Sequence, residues 1–253
     1  PAKGYMQEDF LLEEVILVNL AGAGVADKRW DAKRKREILE SRIQSIQTLY
    51  NAIERKQIQV RYFISASAIG YYGETIEPCD ERSAGDESFL SKTCQLWEAA
   101  AFKMQELSIP VAIVRVGIVL GKQSGAFQEL AKPLQFGIAA IPSDGKQVYS
   151  WIHIDDIAGI FYFLSKHKIT GIFNGVAPKP ATVNTLFDAM KRFATRYFIT
   201  MHIPSFVIKM IVGEMAVEVL KSCIVRSDKI QQQGFAFTFP STEEAIQNIM
   251  QRK

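Results

Sequence analysis

Two stretches decide the fold: VILVNLAGAG at residues 15–24 and YFISASAIGYYG at residues 62–73. In each, an apolar run gives way abruptly to small and hydroxyl-bearing residues, the pattern of a buried parallel strand whose carboxyl end opens onto a ligand crevice. Two such strands in one chain point to a nucleotide-binding sheet. Neither G-x-G-x-x-G nor G-x-x-G-x-x-G occurs in the 253 residues, so a glycine loop that would hold a pyrophosphate is not among them.

Working outward, the strand at 15–20 is followed by a loop at 21–30 and a helix over about 31–56. On that helix Ile38, Leu39, Ile43, Ile46, Leu49 and Ile53 recur at helical spacing, with Asp31 as N-cap. A strand at 61–65, a polar loop at 70–88, a helix over about 92–107 and a strand at 111–116, entered through Pro110, complete the first part. Strand and helix alternate, which predicts an α/β fold: a parallel sheet with helices on its faces and right-handed crossovers. The rest is less regular. It comprises a short amphipathic piece AFQELAKPLQFG, a strand and helix within 149–166 with Asp155 and Asp156 at the N-cap, and the strand IFNGVA after Gly171. A helix capped by Thr182 or Asn184 follows, then an apolar helical segment from Pro204 to residue 220, an extended piece at 235–239 and a terminal helix. Burial against its own lobe is the expected role of the 204–220 segment, a dimer face the alternative.

At 48% hydrophobic the chain can bury a large core. Basic residues exceed acidic ones by only three (30 against 27), which argues against nucleic acid or an anionic membrane as the main partner. Cys79, Cys94 and Cys223 are odd in number and form no C-x-x-C, suggesting neither a disulfide framework nor a zinc site. His153, His167 and His202 lack ligand spacing, so no metal is expected. No signal peptide opens these residues and no apolar run reaches the roughly 18 residues that span a bilayer. The expectation is a soluble, cytoplasmic protein.

One polar residue is out of place. Arg42 falls four residues after Ile38 and four before Ile46, inside the apolar stripe, where an unpaired guanidinium is costly. It needs an anion or a wet crevice, such as a dinucleotide phosphate or ribose with Glu37 beside a ribose hydroxyl. The other reading is that it snorkels to solvent or pairs with an unrelated carboxylate. The nearby Lys28, Arg29, Lys33, Arg34, Lys35 and Arg36 read as a solvated helix start.

The motifs NLAGAG, ISASAIGYYG, VRVGIVLG, SWIHIDDIAG, GIFNGVAP, GEMAVEVLKS and QQQGFAFTFP, in that order, resemble the atypical, epimerase-like branch of the short-chain dehydrogenase/reductase superfamily. The branch is commonly described as NAD-dependent epimerase/dehydratase-like, and some bacterial members carry a cell-division-inhibitor label. The resemblance implies a Rossmann-type doubly wound parallel sheet with a smaller, mostly helical C-terminal lobe. Residues 1–130 and 146–172 would form the nucleotide-binding domain and 131–145 and 173–253 the substrate-side lobe. Such proteins normally begin with a strand, a G-x-T-G-F-I-G loop, a helix and a second strand. That unit is absent from these 253 residues, and omission is expected over true loss.

The resemblance also implies site residues. Leu20, Ala21 and Gly22 match the place under the cofactor ribose, with Ser65 beside them; Gly117, Ile118 and Val119 match the strand end that flanks the nicotinamide. Ser67 matches the catalytic serine. Where a tyrosine and a lysine four residues later are expected, the chain reads Cys94-Gln95-Leu96-Trp97-Glu98, and Glu98 cannot do a lysine's electrostatic work. Tyr71 and Tyr72 remain as acids near Ser67, with Tyr72 the candidate; as neighbours in an extended turn they should diverge, so at most one faces the site. His153 is expected to support the fold. Ile118, where sugar-nucleotide epimerases usually have asparagine, weakens the case for a nucleotide sugar.

Three readings follow: an NADP-linked (NAD as alternative) oxidoreductase or epimerase of an unidentified small molecule with an altered acid/base set, a non-catalytic dinucleotide-binding protein, and, ranked last, a nucleic-acid or septum binder. Monomer and homodimer both stay open.

Overall fold

The structure is a computed structural model that describes residues 15–56, 58–122, 126–194 and 197–251. The first fourteen residues of the expected nucleotide-binding domain lie outside it. The elements run β1 (Val15–Asn19), α1 (Ala32–Glu54), β2 (Val60–Ala68), α2 (Phe89–Phe102), β3 (Val111–Val116), β4 (Ile118–Leu120), α3 (Ala126–Ala131), β5 (Ile138–Pro142), β6 (Val148–Tyr149) and β7 (Trp151–His153). They continue with α4 (Ile154–His167), β8 (Gly171–Gly175), β9 (Ala181–Thr182), α5 (Val183–Phe193), β10 (Ile199–Ile203), α6 (Ser205–Val212), α7 (Ala216–Leu220), α8 (Asp228–Gln232) and α9 (Thr242–Gln251). Two compact units result: one from the chain up to Gly73, Ala84–Arg115 and Ile160–Phe173, the other from Glu74–Ser83, Val116–Gly159 and the chain from Asn174 onward.

The first unit is built on a sheet ordered β1-β2-β3-β8. β1 runs parallel to β2, its last residue Asn19 level with Ser65, and β2 runs three residues further, to Ala68. The centre of the sheet is apolar and sealed: Tyr62, Phe63, Ile64 and Val111, Ala112, Ile113 and Val114 are fully buried. Each large apolar side chain there contributes about 1.5–3 kcal/mol. The Tyr62 hydroxyl donates to the Ile169 carbonyl. β1 departs from the expectation of a buried strand. Val15, Ile16 and Val18 stay exposed because β1 ends the strand order and has β2 on one side only among the described residues.

Helix starts follow their caps. Asp31 accepts from the Arg34 amide at 2.6 Å and opens α1, which buries Ile38 and Ile46. Ser88 accepts from the Ser91 amide, so α2 begins at Phe89, earlier than periodicity alone predicts. β2 is also longer than expected, reaching Ala68 and carrying Ser67 within the strand.

The second unit pairs β4 with β7 and β5 with β10 in parallel, and β6 with β9 antiparallel. Its core gathers Leu120, Phe127, Trp151, Leu186, Phe187 and Ile246. Thr182, one of the two caps expected, accepts from the Thr185 amide and starts α5. Three expectations are corrected here. Asp155 and Asp156 do not cap α4 but lie in its first turn; the Asp156 carboxylate instead accepts from the amides of Thr238 (2.8 Å) and Phe239 (2.9 Å). The piece at 235–239 is therefore held by a side chain and forms no strand. The apolar segment after Pro204 is split by Gly213, at φ +65°, into α6 and α7. Ile208 and Ala216 bury, whereas Phe206, Met210, Ile211 and Val217 are exposed, so most of its apolar side chains do not enter the core.

Among the described residues no helix is long and apolar enough to cross a membrane.

Candidate functional site

The loop that leaves β1 is tied down almost wholly by α1. Asn19, buried at the end of β1, accepts from the Ala21 amide through Oδ1 (3.2 Å) and donates through Nδ2 to Ser45 Oγ (3.4 Å). Ser41 Oγ accepts from the Ala23 amide at 2.9 Å. Arg34 Nη2 donates to the Gly24 carbonyl, and Arg42 Nη1 donates to the carbonyls of Ala23 (3.0 Å) and Ile38 (2.8 Å). These bonds fix residues 20–25 as a shelf at the mouth of the sheet, with Leu20 exposed. A Cβ on Gly22 would meet the Arg42 side chain at 3.0–3.2 Å.

The structure brings Gly22 and Arg42 together but not Glu37. Glu37 is paired at 2.8 Å with Arg34. The Arg34 guanidinium beside it holds its carboxyl below the usual range. Arg42 is half-buried, its guanidinium 4.8 Å from the Trp97 ring centroid, and burial lowers its pKa from the ordinary value. No carboxylate among the described residues pairs with it.

A second cluster lies beneath the end of β2. Ser67 Oγ donates to Glu98 Oε1 at 2.7 Å. Arg115, in β3, grips the same carboxylate with two bonds of 2.8 Å, Nε to Oε1 and Nη2 to Oε2, and its Nη1 donates to the Tyr72 hydroxyl oxygen at 2.9 Å. All four residues are buried. Burial alone would lower the Arg115 pKa, but the Glu98 carboxylate and the Tyr72 oxygen outweigh it and raise it. Ser65 is buried as well, its hydroxyl donating to the Ala66 carbonyl.

Tyr71 and Tyr72 do not diverge as expected. They belong to a 3-10 turn at Ile69–Tyr72, not an extended one, and both rings close on Arg115, at 3.4 Å and 5.0 Å from its guanidinium carbon. Gly73, at φ +74°, ends that turn in a conformation suited to glycine. Glu98 sits where the sequence reading wanted a lysine, but it meets Ser67 and Arg115 as a matched charge. Cys94, one turn earlier on α2, is buried, and burial pushes its thiol up to about 11.

Arg115 escaped the sequence reading because VAIVRV scans as a continuous buried strand. An arginine inside such a run is itself a signal, since a buried guanidinium demands a partner. In the second unit, Gly117 packs so closely on the Ser150 carbonyl and Val176 that a Cβ would come within 2.7 Å of each. Protein packing alone accounts for glycine there. Val119 pairs with Ile152 in the β4–β7 ribbon. His153 is fully buried against Phe239, its Nδ1 accepting from the Asp155 amide at 3.1 Å.

A layered sheet with a small-residue shelf beyond its strand ends, and a buried polar cluster behind it, defines a Rossmann-type protein. The chain belongs to the NAD dependent epimerase/dehydratase family, whose profile matches residues 8–174; residues 203–249 match a domain of unknown function, DUF1731. It is 31% identical over 239 residues to the chloroplastic epimerase family protein SDR39U1 homolog of Arabidopsis thaliana, covering 93% of this chain and 68% of that one. It is 32% identical over 245 residues to an epimerase family protein of Staphylococcus aureus strain MRSA252, with 94% and 79% coverage. The crystal structure of human epimerase family protein SDR39U1 (isoform 2) with NADPH superimposes with a TM-score of 0.87 at 29% identity, over 97% of this chain and 84% of that one. A UDP-glucuronic acid 4-epimerase from Bacillus cereus, in complex with UDP-glucuronic acid and NAD, shares the fold with a TM-score of 0.75 at 19% identity, over 93% and 74%.

Proposed function

We propose that this protein is an NADP(H)-linked oxidoreductase or epimerase, with NAD(H) the lesser alternative, acting on a small molecule through an acid/base set that lacks the tyrosine-lysine pair. The observation that carries the reading is the Ser67–Glu98–Arg115–Tyr72 cluster, and the NADPH held by the human relative supports the choice of cofactor. The residues present suit a dinucleotide: the shelf at Leu20, Ala21 and Gly22 carries little side-chain bulk next to the backbone, and Arg42 has donors left over. When bound, the cofactor supplies hydride transfer.

The chain's own residues handle the proton. A guanidinium can only donate, so the Tyr72 oxygen is an acceptor toward Arg115 and its own hydrogen is directed elsewhere. Tyr72 is thus an oriented acid, and Ser67 Oγ keeps a lone pair for a substrate hydroxyl. Pairing with Arg115 stops Glu98 from acting as a second anion against them. The three cysteines and the small charge surplus fit a cytoplasmic enzyme that handles small molecules and not nucleic acid.

One observation favours a second reading, a non-catalytic dinucleotide-binding protein: the hydroxyls of Ser67 and Tyr72 are both engaged inside a buried cluster. Oxidation of NADPH by the full-length protein, followed over a panel of small carbonyl compounds, separates the two. Turnover that is lost in Tyr72→Phe while NADPH still binds supports the enzyme. Binding of NADPH without turnover of any carbonyl, or of alcohols with NADP in reverse, supports the second reading.

A further inference from the structure

β10 pairs with β5 alone, and its other edge is open among the described residues. The ladder fixes which groups lie on that edge. Ile199 stands level with Ile138 and its amide donates to the Gly137 carbonyl; Ile203 stands level with Pro142 and its carbonyl accepts from the Ser143 amide. Successive residues of a strand turn their N–H and C=O groups to opposite sides. Ile199, Met201 and Ile203 therefore spend theirs on β5. Thr200 and His202 turn theirs outward, where no described residue takes them.

Nothing in the strand protects this edge. Exposed edges are usually blunted by a charged side chain, by proline, by a bulge or by shortness. β10 reads ITMHI, holds an unbroken register with β5 over its whole length, and carries no acidic residue, lysine, arginine or proline. Its one ionisable side chain, His202, is turned back to the Ser143 carbonyl at 2.9 Å. Ile199 and Met201 are 72% and 47% exposed.

The open edge is complementary to itself. Two copies of β10 laid antiparallel about a twofold axis at Met201 set Thr200 opposite His202 of the second copy, and His202 opposite Thr200. Each outward N–H and C=O of the strand then meets a partner. Met201 faces its own counterpart as the close pair without hydrogen bonds, and Ile199 lies opposite Ile203, apolar against apolar. The apolar surface continues past the strand. Phe136 precedes β5 and is exposed, and the chain passes from β10 through Pro204 directly into α6, where Phe206, Met210 and Ile211 are each about two-thirds exposed. At ~150–200 Å² for a large apolar side chain, these four with Ile199 and Met201 expose on the order of 700 Å². That is close to the ~800 Å² that each partner buries in a standard interface.

We propose that the β10 edge is a self-association surface: two copies of this chain pair antiparallel through Thr200 and His202, joining their β5–β10 ribbons into one continuous sheet flanked by the exposed side chains of α6.

The test is sedimentation equilibrium of the full-length protein over a range of concentrations, wild type against Thr200→Pro and Met201→Glu, with circular dichroism to show that each variant is folded. The wild type should be a dimer. Thr200→Pro removes an outward N–H and leaves the ladder to β5 whole, and Met201→Glu sets like charges against each other across the axis. Each should raise the dimer dissociation constant about tenfold or more. Should Thr200→Pro fail to fold, charge complementation at the exposed Met201 position decides. Met201→Glu and Met201→Lys, each weakly associating alone, should form a mixed dimer when combined, because the axis brings residue 201 against itself. A wild type that is monomeric at every concentration overturns self-association and leaves the edge to an extended segment of another protein. A dimer that persists in both folded variants overturns it as well, and so does one weakened by Met201→Glu and Met201→Lys without recovery on mixing.

Discussion

Glu98 accepts two parallel hydrogen bonds of 2.8 Å from Arg115, and both side chains are nearly sealed from solvent. A buried pair of this kind is expensive to break from one side, because the remaining charge is stranded. Arg115→Met is expected to lower unfolding free energy by about 3–5 kcal/mol, and Glu98→Leu by a similar amount. The double variant Glu98→Leu/Arg115→Met should recover much of that loss in urea denaturation. Additive losses would show that the two residues act independently.

Ser67 separates chemistry from structure. Ser67→Ala should abolish turnover with little effect on NADPH affinity, at a stability cost of about 1–3 kcal/mol for the lost partner of Glu98. Equal loss of turnover and affinity would mark a structural serine. Parallel kinetics and NADPH titration decide.

Asp156 holds the chain at Thr238 and Phe239 through two charge-assisted bonds. Asp156→Ala is expected to cost about 1.5–3 kcal/mol and to speed proteolysis and amide exchange within residues 235–240. Unchanged exchange there would mean that packing alone holds the segment.

The buried thiols predict alkaline behaviour. Burial pushes Cys94 up to about 11 and Cys223 up to about 12, from an ordinary value near 9. Both are therefore neutral at physiological pH and should resist alkylation in the folded protein, while the half-buried Cys79 is the accessible site. Since the folded pKa values lie above the unfolded one, the neutral-thiol contribution to stability is complete below about pH 9. It declines as pH climbs through 11 and 12. Mass spectrometry after iodoacetamide, and denaturation midpoints across that range, test both statements.

Much of the first unit was legible because its signals are local. Asp31 announces α1, and the apolar runs of β2 and β3 are long and uninterrupted. Arg42 stood out because one charge interrupts a periodic stripe, and it does lie beside the shelf. The cluster around Glu98 was not legible, since it assembles residues from β2, a 3-10 turn, α2 and β3 that local spacing does not connect. The turn itself was misjudged: Tyr71 and Tyr72 diverge only if extended, and Gly73 lets the chain coil instead. In the second unit, the β5–β10 ribbon and the engagement of Asp156 by Thr238 and Phe239 depend on pairings between residues about 60 and 80 positions apart, which periodicity does not carry.

The most direct test of the central claim is calorimetric titration of NADPH into the full-length protein. The account predicts saturable binding at one site per chain, accompanied by a rise in melting temperature with ligand concentration. Absence of both heat and thermal shift would contradict it, and would leave a dinucleotide fold retained for another purpose.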